Sequence, residues 1–213
     1  MIYDKKDFVS LVRSAMAIDI ALALNGIVIN ADSMQVYKGM PIASAVPSED
    51  EKCGVRHHLL EFLSPEEQLT VADYKQYATE VINDILSRNK TPVLVGGTGL
   101  YINAVINNLI FLPETDDKSL RNKLSDEYDR LGGEEMHLKL EEIDPIAAER
   151  ISKNDKKRLV RALELYENLG ITPTQQYSLS KTEPSPYSPV IIGLNYKQRE
   201  LLYERINLRV DKM

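Results

Sequence analysis

The residues best suited to bind a ligand form the segment Gly96-Gly97-Thr98-Gly99. This segment follows the short apolar run Val93-Leu94-Val95. Backbone N–H groups and a threonine hydroxyl at the start of a helix suit an anion such as a phosphate. A tight turn between a strand and a helix also requires glycine for conformational reasons alone. The segment therefore predicts either a phosphate-binding turn or a purely structural one.

Asp32 follows a second short apolar run, Ile27-Val28-Ile29, and precedes Ser33-Met34-Gln35. A carboxylate at the end of a strand can act as a general base or as a metal ligand. It can equally serve as a helix cap or a turn residue. Because ligands of parallel sheets bind beyond the carboxyl ends of the strands, we expect Asp32 and the Gly96–Gly99 turn to face one crevice.

A cluster of cations surrounds Asn154-Asp155, which has the sequence of a helix N-cap. Its members are Lys153, Lys156, Lys157, Arg158 and Arg161. Lys157 and Arg161 share one helix face through their spacing. Such a face can bind the phosphates of a nucleic acid, although charged helix faces are more often only solvated. Arg205 and Arg209 leave the same choice open, between solvated side chains and an anion clamp.

Composition excludes several classes of protein. The 213 residues carry a formal net charge of −6, which argues against a protein that coats nucleic acid through bulk electrostatics. Cys53 is the only cysteine, so the chain has no intrachain disulfide and fits a reducing cytoplasm. The sequence shows neither a signal peptide nor an apolar run long enough to span a membrane. His57-His58 lacks partners at metal-ligand spacing, which favours structural histidines.

Helices and strands alternate along the first half of the chain. The predicted elements are a helix at 12–24, a strand at 27–29, a helix at 70–88, a strand at 93–95 and a helix after Gly99. This alternation predicts an α/β fold with parallel strands and helical crossovers. The later apolar run Val190-Ile191-Ile192-Gly193-Leu194 predicts a strand that returns to the sheet.

A charged, helix-rich region separates these strands. Its predicted helices are 118–131, 134–141, 144–151 and 155–169, and a linker rich in proline and serine follows at 180–189. We therefore expect residues 1–115 and 188–213 to form the α/β core and residues 116–187 to form an inserted helical module with its linker. The last helical pattern, from Arg199 to Met213, stops without a C-cap, which suggests a truncated chain.

An ordered series of motifs resembles the tRNA dimethylallyltransferase family over residues 14–213. The first half contains Asn30-Ala31-Asp32-Ser33-Met34-Gln35-Val36-Tyr37-Lys38-Gly39-Met40, His57-His58-Leu59-Leu60, Val71-Ala72-Asp73-Tyr74 and Val95-Gly96-Gly97-Thr98-Gly99-Leu100-Tyr101. The second half contains Asp144-Pro145, Arg150-Ile151, Asn154-Asp155, Arg158-Leu159-Val160-Arg161-Ala162-Leu163-Glu164 and the final stretch from Arg205 to Met213. Each motif alone is weak, but their order along the chain is specific.

The resemblance implies a P-loop-kinase-like parallel sheet core with an inserted helical domain that grips the anticodon stem. It also implies transfer of a dimethylallyl group from its diphosphate to N6 of an adenosine beside the anticodon of a tRNA. That reaction needs a base for the N6 proton and stabilisation of the leaving diphosphate, with Mg²⁺ as the expected cofactor. The adenine must also leave the base stack. We expect a cytoplasmic monomer that contacts no membrane.

Roles follow from the resemblance for individual residues. Asp32 would accept the N6 proton, Thr98 would contact the diphosphate near its leaving oxygen, and Arg209 would clamp the diphosphate. Ser33, Met34 and Gln35 would line the tRNA side of the site, and Gly97 and Gly99 are further expected substrate contacts. Contacts to the tRNA phosphates and anticodon stem are expected from Arg121, Lys157, Arg158, Leu159, Val160 and Arg161.

The sequence departs from the family pattern near its start. Relatives open with a loop resembling Gly-Pro-Thr-Ala-Ser-Gly-Lys-[Ser/Thr], whereas this chain reads Phe8-Val9-Ser10-Leu11-Val12-Arg13-Ser14 and has its first glycine at Gly26. Arg13 takes the place of the lysine in the family's loop and is expected to bind the substrate phosphate. Ser14 takes the place of the loop's hydroxyl residue and is expected to bind substrate and Mg²⁺. Pro41 to Pro47 replaces a Gly-Thr-Ala-Lys-Pro stretch. We therefore expect weak diphosphate binding and little turnover. We also expect the chain to be a fragment, a protein with a misassigned start or a decayed gene product.

Two other functions remain open. A nucleotide or shikimate-type kinase shares the core fold, but it would need an intact glycine-rich loop. A non-catalytic remnant that binds only tRNA through the basic helix would show salt-dependent RNA binding without diphosphate binding.

Overall fold

The computed structural model describes residues 10–40, 44–112, 118–193 and 198–211. It divides the chain into two compact units. The first unit combines Met1–Asn108 with Ser185–Met213, and the second is Leu109–Pro184. The sequence pattern placed these boundaries slightly later, after residues 115 and 187.

The first unit is built on a three-stranded parallel sheet. Its elements in chain order are α1 (Ser10–Ala23), β1 (Gly26–Asn30), α2 (Glu49–Lys52), β2 (His57–His58), α3 (Val71–Ser87), β3 (Thr91–Val95) and α4 (Gly99–Ile106). The strand order is β2-β1-β3, and both neighbours run parallel to β1. Val28 lies opposite His57 on one side and opposite Val93 on the other. The predicted α/β fold with parallel strands is confirmed.

Strand β1 lies at the centre of the sheet because its side chains are apolar on both faces. Ile27 and Ile29 pack into the core formed with α3 and α4, whereas Val28 packs against α1 on the opposite face. A strand buried on both faces reads as a continuous apolar run rather than an alternating one. Each such buried side chain contributes about 1.5–3 kcal/mol relative to an exposed one.

Helix α3 begins at a capping box. The Thr70 hydroxyl accepts a hydrogen bond from the Asp73 N–H, and the Asp73 carboxylate accepts one from the Thr70 N–H. These contacts satisfy donors that a helix N-terminus otherwise leaves unpaired. The buried residues of α3 recur at helical spacing along one face, which turns toward β1: Tyr74, Ala78, Ile82 and Ile85.

The second unit is entirely helical in its described part. It contains α5 (Ser119–Leu131), α6 (Gly133–Ile143), α7 (Pro145–Arg150), α8 (Lys156–Leu169) and α9 (Pro173–Leu179). Asp144 caps α7 and Asp155 caps α8 through hydrogen bonds from backbone N–H groups. The four helices predicted for this region are confirmed. Helix α9 was not predicted, although its capping box between Thr172 and Gln175 and its Pro173 are visible in the sequence.

The predicted strand at Val190–Leu194 is wrong for its described residues. Residues 190–193 form no strand, and Val190 is 89% exposed. In the described ranges β3 pairs only with β1, so its other edge is not hydrogen-bonded to this apolar run. Its residues instead line an apolar groove of about 940 Å³ beside β3 and α4. An apolar run predicts burial, but a strand also requires a partner.

The last described helix, α10, spans Arg199–Val210 and agrees with the helix predicted from Arg199. Strand β2 was missed, because two histidines show no strand pattern. No helix in the described ranges is both long and apolar enough to cross a bilayer.

Candidate functional site

The loops that follow β1 and β3 are joined by a ladder of three hydrogen bonds. The Ala31 N–H donates to the Val95 carbonyl over 2.7 Å, and the Thr98 N–H donates to the Ala31 carbonyl over 3.1 Å. The Ser33 N–H then donates to the Thr98 hydroxyl oxygen over 2.9 Å. The expected proximity of Asp32 to the Gly96–Gly99 turn is therefore confirmed.

Gly96 allows this close approach. A Cβ atom at Gly96 would lie 2.1 Å from the carbonyl carbon and oxygen of Ala31, a distance that no side chain tolerates. At Gly99 a Cβ atom would meet nothing within 4 Å. Packing therefore requires glycine at position 96, whereas it leaves room for a side chain at position 99.

Asp32 is held in a defined orientation by its neighbours. Its Oδ1 accepts a hydrogen bond from the Met34 N–H over 2.9 Å, and its own N–H donates to Asn30 Oδ1 over 3.2 Å. Asn30 is buried, and its amide donates to the Leu59 carbonyl over 2.9 Å. Oδ2 of Asp32 has no hydrogen-bond partner among the residues that the structure describes. One carboxylate oxygen is therefore available to accept a proton.

Thr98 precedes α4 but does not cap it with its side chain. Its hydroxyl oxygen accepts from Ser33 instead, and within the described ranges the hydroxyl proton has no acceptor. The N–H groups of Gly99 and Leu100 also lack acceptors within those ranges, as expected for the first turn of a helix. A hydroxyl donor and helical N–H groups at one helix terminus form a suitable site for a phosphate.

A small cleft opens beyond the carboxyl ends of β1 and β3, and Asp32, Gly96, Gly97 and His57 contribute to its lining. Nδ1 of His57 lies 2.8 Å from the Val55 carbonyl, so it carries the proton in the neutral ring. Burial lowers the pKa of His57 below its ordinary value. The sequence alone favours a structural role for His57, because the place of this residue beside the cleft depends on the pairing of β2 with β1.

Gln35 was expected to line the tRNA side of the site, but in the structure its amide forms hydrogen bonds within the protein. Its Nε2 donates to the carbonyls of Ser44 and Ala45 over 3.1 and 2.8 Å, and the side chain is buried. Both amide protons are therefore used to hold the chain after Met40. Met34 is exposed and Ser33 is half-buried, so these two neighbours retain accessible surface.

Most of the basic cluster in the second unit is paired with carboxylates. The pairs are Lys153–Glu134, Lys156–Asp129, Arg158–Asp155 and Arg161–Glu164. Arg121 also pairs with Glu164. Lys157 is exposed and has no ion-pair partner among the described side chains. The cluster is thus a partly neutralised surface rather than a block of free charge.

The prediction that the side chains of Leu159 and Val160 contact the tRNA is wrong. Both side chains are buried in the helical core with Leu124, Met136 and Leu140, so neither presents a surface to an RNA. They lie between cations in the sequence because a helix turns successive residues to different faces. Their contribution is to anchor α8, which carries the basic side chains.

The side chains of three predicted site residues lie outside the described part of the chain. Arg13 and Ser14 belong to α1, and the side chains of both lie outside the described part of the chain. The backbone from Ser10 onward is helical rather than a phosphate-cradling loop. Arg209 belongs to α10, and its side chain also lies outside the described part.

Comparison with known protein families gives a match over most of the chain. The family model of the IPP transferases matches residues 35–213. The chain is 43% identical over 202 residues to the tRNA dimethylallyltransferase of Caldanaerobacter subterraneus, covering 94% of this chain and 64% of the relative. It is 44% identical over 201 residues to the protein of the same name from Acetivibrio thermocellus, with the same coverage. The chain thus spans 64% of the length of these curated relatives.

Solved structures give the same result. A tRNA isopentenylpyrophosphate transferase from Bacillus halodurans aligns with a TM-score of 0.61 and 40% identity, over 96% of this chain and 62% of that one. A eukaryotic dimethylallyltransferase acting on tRNA aligns with a TM-score of 0.74 and 26% identity, over 97% of this chain and 50% of that one. The motifs, the parallel sheet with its helical insertion, and the match over residues 35–213 together show that this chain belongs to the IPP transferase family.

Proposed function

We propose that this chain acts as a tRNA dimethylallyltransferase, which transfers a dimethylallyl group from its diphosphate to N6 of the adenosine next to the anticodon. The observation that carries the proposal is the Ser33–Thr98 hydrogen bond, because it holds the Asp32 carboxylate beside the phosphate-binding turn. Relatives named tRNA dimethylallyltransferase and a similar structure described as acting on tRNA support it.

The proposed reaction is a displacement at the first carbon of the dimethylallyl group. A bond forms between that carbon and N6 of adenosine, while the bond between the carbon and the diphosphate oxygen breaks. The bonding electron pair leaves with the diphosphate, and the N6 proton passes to Oδ2 of Asp32. Since adenine N6 is a weak nucleophile, a positioned base is needed.

Thr98 and the N-terminus of α4 are proposed to receive the leaving diphosphate. The Thr98 hydroxyl would donate a hydrogen bond to it, with the N–H groups of Gly97 and Gly99 as further donors. Donors that are fixed before the reaction stabilise developing charge without reorganisation. The proposed roles of Arg209, Arg13 and Ser14 in binding the diphosphate rest on the family resemblance.

Mg²⁺ is proposed as the cofactor, and it would neutralise charge on the diphosphate when bound. The described side chains include no group of three or more His, Cys, Asp or Glu residues that could hold a metal ion. Such a site fits a metal that is held largely by substrate phosphates and water, as Mg²⁺ often is. Ser14 remains the residue that the resemblance assigns to it.

The second unit is proposed to bind the anticodon stem of the tRNA. Its surface cations on α5 and α8 are the proposed phosphate contacts: Arg121, Lys157, Arg158 and Arg161. Phosphate contacts position a protein on a nucleic acid, and their strength falls with added salt. We propose that one chain acts on one tRNA, as a monomer.

A single-turnover assay tests the proposal. Excess protein, dimethylallyl diphosphate, Mg²⁺ and an anticodon stem-loop RNA are incubated, and the mass of the RNA is followed. We expect a gain of the mass of one dimethylallyl group. Asp32→Asn should slow transfer about 100-fold or more. Asp19→Asn, which removes an exposed carboxylate of α1, should leave the rate unchanged.

Two outcomes would contradict the proposal. RNA binding without any transfer would indicate a non-catalytic tRNA-binding protein. Transfer at an equal rate in the Asp32 and Asp19 variants would remove Asp32 from the reaction.

A further inference from the structure

Glu164 is a buried carboxylate within a basic surface. Its side chain is 4% exposed, whereas the side chains of Arg121 and Arg161 are 39% and 40% exposed. Burying a carboxylate is costly unless it is paired and hydrogen-bonded. The buried charge of Glu164 is therefore stabilised by its two arginines. The same contacts also restrict the positions of the arginine side chains.

Glu164 binds the two arginines at the same time. Nε of Arg121 lies 3.0 Å from both Oε1 and Oε2, and its Nη2 lies 3.0 Å from Oε2. Nη1 of Arg161 lies 2.8 Å from Oε2. Because both arginines contact Oε2, these two Nη atoms are separated by no more than the sum of 3.0 and 2.8 Å. Two like charges from different helices are thus kept close together.

The arrangement restricts the rotamers of two arginine side chains. Arg121 comes from α5 and Arg161 from α8, and an exposed arginine on a helix populates many rotamers. A guanidinium that is oriented in advance loses less freedom when it binds a phosphate. The exposed fraction of each arginine leaves surface for such a contact.

We propose that Glu164 is a positioning residue for RNA binding, which holds Arg121 and Arg161 as an oriented pair toward the phosphates of the anticodon stem. This inference rests on the proposed tRNA function of the second unit. Glu164 does not contact the RNA itself. It acts through the two guanidinium groups.

Electrostatics alone predicts the opposite effect, which makes the proposal testable. Removing a negative charge from an RNA-binding surface should strengthen binding, because a repulsion of the phosphates disappears. Loss of positioning should weaken binding, because the two arginines separate. The sign of the change in affinity therefore distinguishes the two mechanisms.

The experiment compares Glu164→Gln with Glu167→Gln, which removes the same charge from an exposed residue of the same helix. The affinity for an anticodon stem-loop RNA is measured by fluorescence anisotropy at several salt concentrations, at a temperature where melting curves show each protein folded. We expect Glu164→Gln to weaken binding about tenfold, the order that one or two phosphate contacts contribute. Glu167→Gln should bind as tightly as the wild type or slightly more tightly.

Arg121→Lys and Arg161→Lys provide a second measurement that does not disturb the buried carboxylate charge. Each keeps a positive charge but loses the planar fork, so each should weaken RNA binding while the protein stays folded. RNA binding by Glu164→Gln that is as tight as the wild type or tighter would overturn the positioning role alone. If Glu164→Gln fails to fold, the same result for both lysine variants would overturn that role. Absence of RNA binding by the wild type would overturn the tRNA function as well.

Discussion

The Ser33 N–H and the Thr98 hydroxyl form a hydrogen bond of 2.9 Å between residues that are 65 positions apart in the sequence. This contact joins the loop after β1, which carries Asp32, to the turn after β3. The proposed base and the proposed phosphate-binding turn are thereby held at one end of a parallel sheet. The Thr98 side chain makes no capping hydrogen bond to α4.

Thr98 should therefore affect both reaction rate and stability. Thr98→Val removes the acceptor for Ser33 and the donor proposed for the diphosphate. We expect the single-turnover rate to fall about 10- to 100-fold and the free energy of unfolding to fall by about 1 kcal/mol. Thr98→Ser keeps the hydroxyl and should stay close to the wild type in both. Equal rates for the valine and serine variants would contradict the role of the hydroxyl.

Gly96 should be intolerant of any side chain. Gly96→Ala places a Cβ atom 2.1 Å from the Ala31 backbone, so the loops must separate. We expect a loss of about 2–3 kcal/mol in the free energy of unfolding, measured with urea. Gly99→Ala is the matched control, because nothing lies within 4 Å of its Cβ position, and it should unfold at nearly the wild-type urea concentration. Similar losses for the two variants would argue against the close approach.

Tyr74 should stabilise the end of β1 through its hydroxyl group. The ring is buried and stacked on Tyr101 with centroids 4.0 Å apart, and its hydroxyl donates to the Asn30 carbonyl over 2.9 Å. Burial raises the pKa of Tyr74 far above its ordinary value, so the hydroxyl stays protonated. Tyr74→Phe should cost about 1–2 kcal/mol of unfolding free energy.

Tyr77→Phe on the same helix is the control for Tyr74. Its ring is exposed and packs edge-on against Phe62, and its hydroxyl has no hydrogen-bond partner within the described ranges. The variant should change the unfolding free energy by less than about 0.5 kcal/mol. If both phenylalanine variants unfold alike, the bond to Asn30 contributes nothing.

Asp144 should make the stability of the second unit depend on pH. Burial alone raises the pKa of this carboxyl, but hydrogen bonds from the Thr174 N–H and hydroxyl and from the Ala147 N–H outweigh burial and lower the pKa. A carboxyl with a lowered pKa stabilises the fold above its unfolded pKa of about 3.9, and this stabilisation is lost as pH falls through the folded pKa.

Asp144→Asn should therefore destabilise the protein at pH 7, with a smaller difference from the wild type near pH 3. Thermal melting at both pH values measures this, and Asp126→Asn, at an exposed position of α5, is the control. A difference between Asp144→Asn and wild type that does not shrink at low pH would contradict the assigned hydrogen bonds.

Local sequence patterns were sufficient for most helices and for the two longer strands. The caps at Asp144 and Asp155 and the apolar runs of β1 and β3 act over a few residues, so they are visible without tertiary contacts. The proximity of Asp32 to Thr98 also followed from the sequence, because parallel strands bring their carboxyl ends to one edge.

The sequence by itself determined the family, the parallel α/β order and the residues able to act on a phosphate or a proton. Only the tertiary structure decided which charges are neutralised, since Arg121 meets Glu164 across 43 positions of chain. It also decided that Leu159 and Val160 are buried, that Gln35 holds a loop, and that residues 190–193 form no strand. The physical reason is the same in each case: burial and pairing depend on partners that are distant in the sequence, whereas turns, caps and helical faces depend on neighbours.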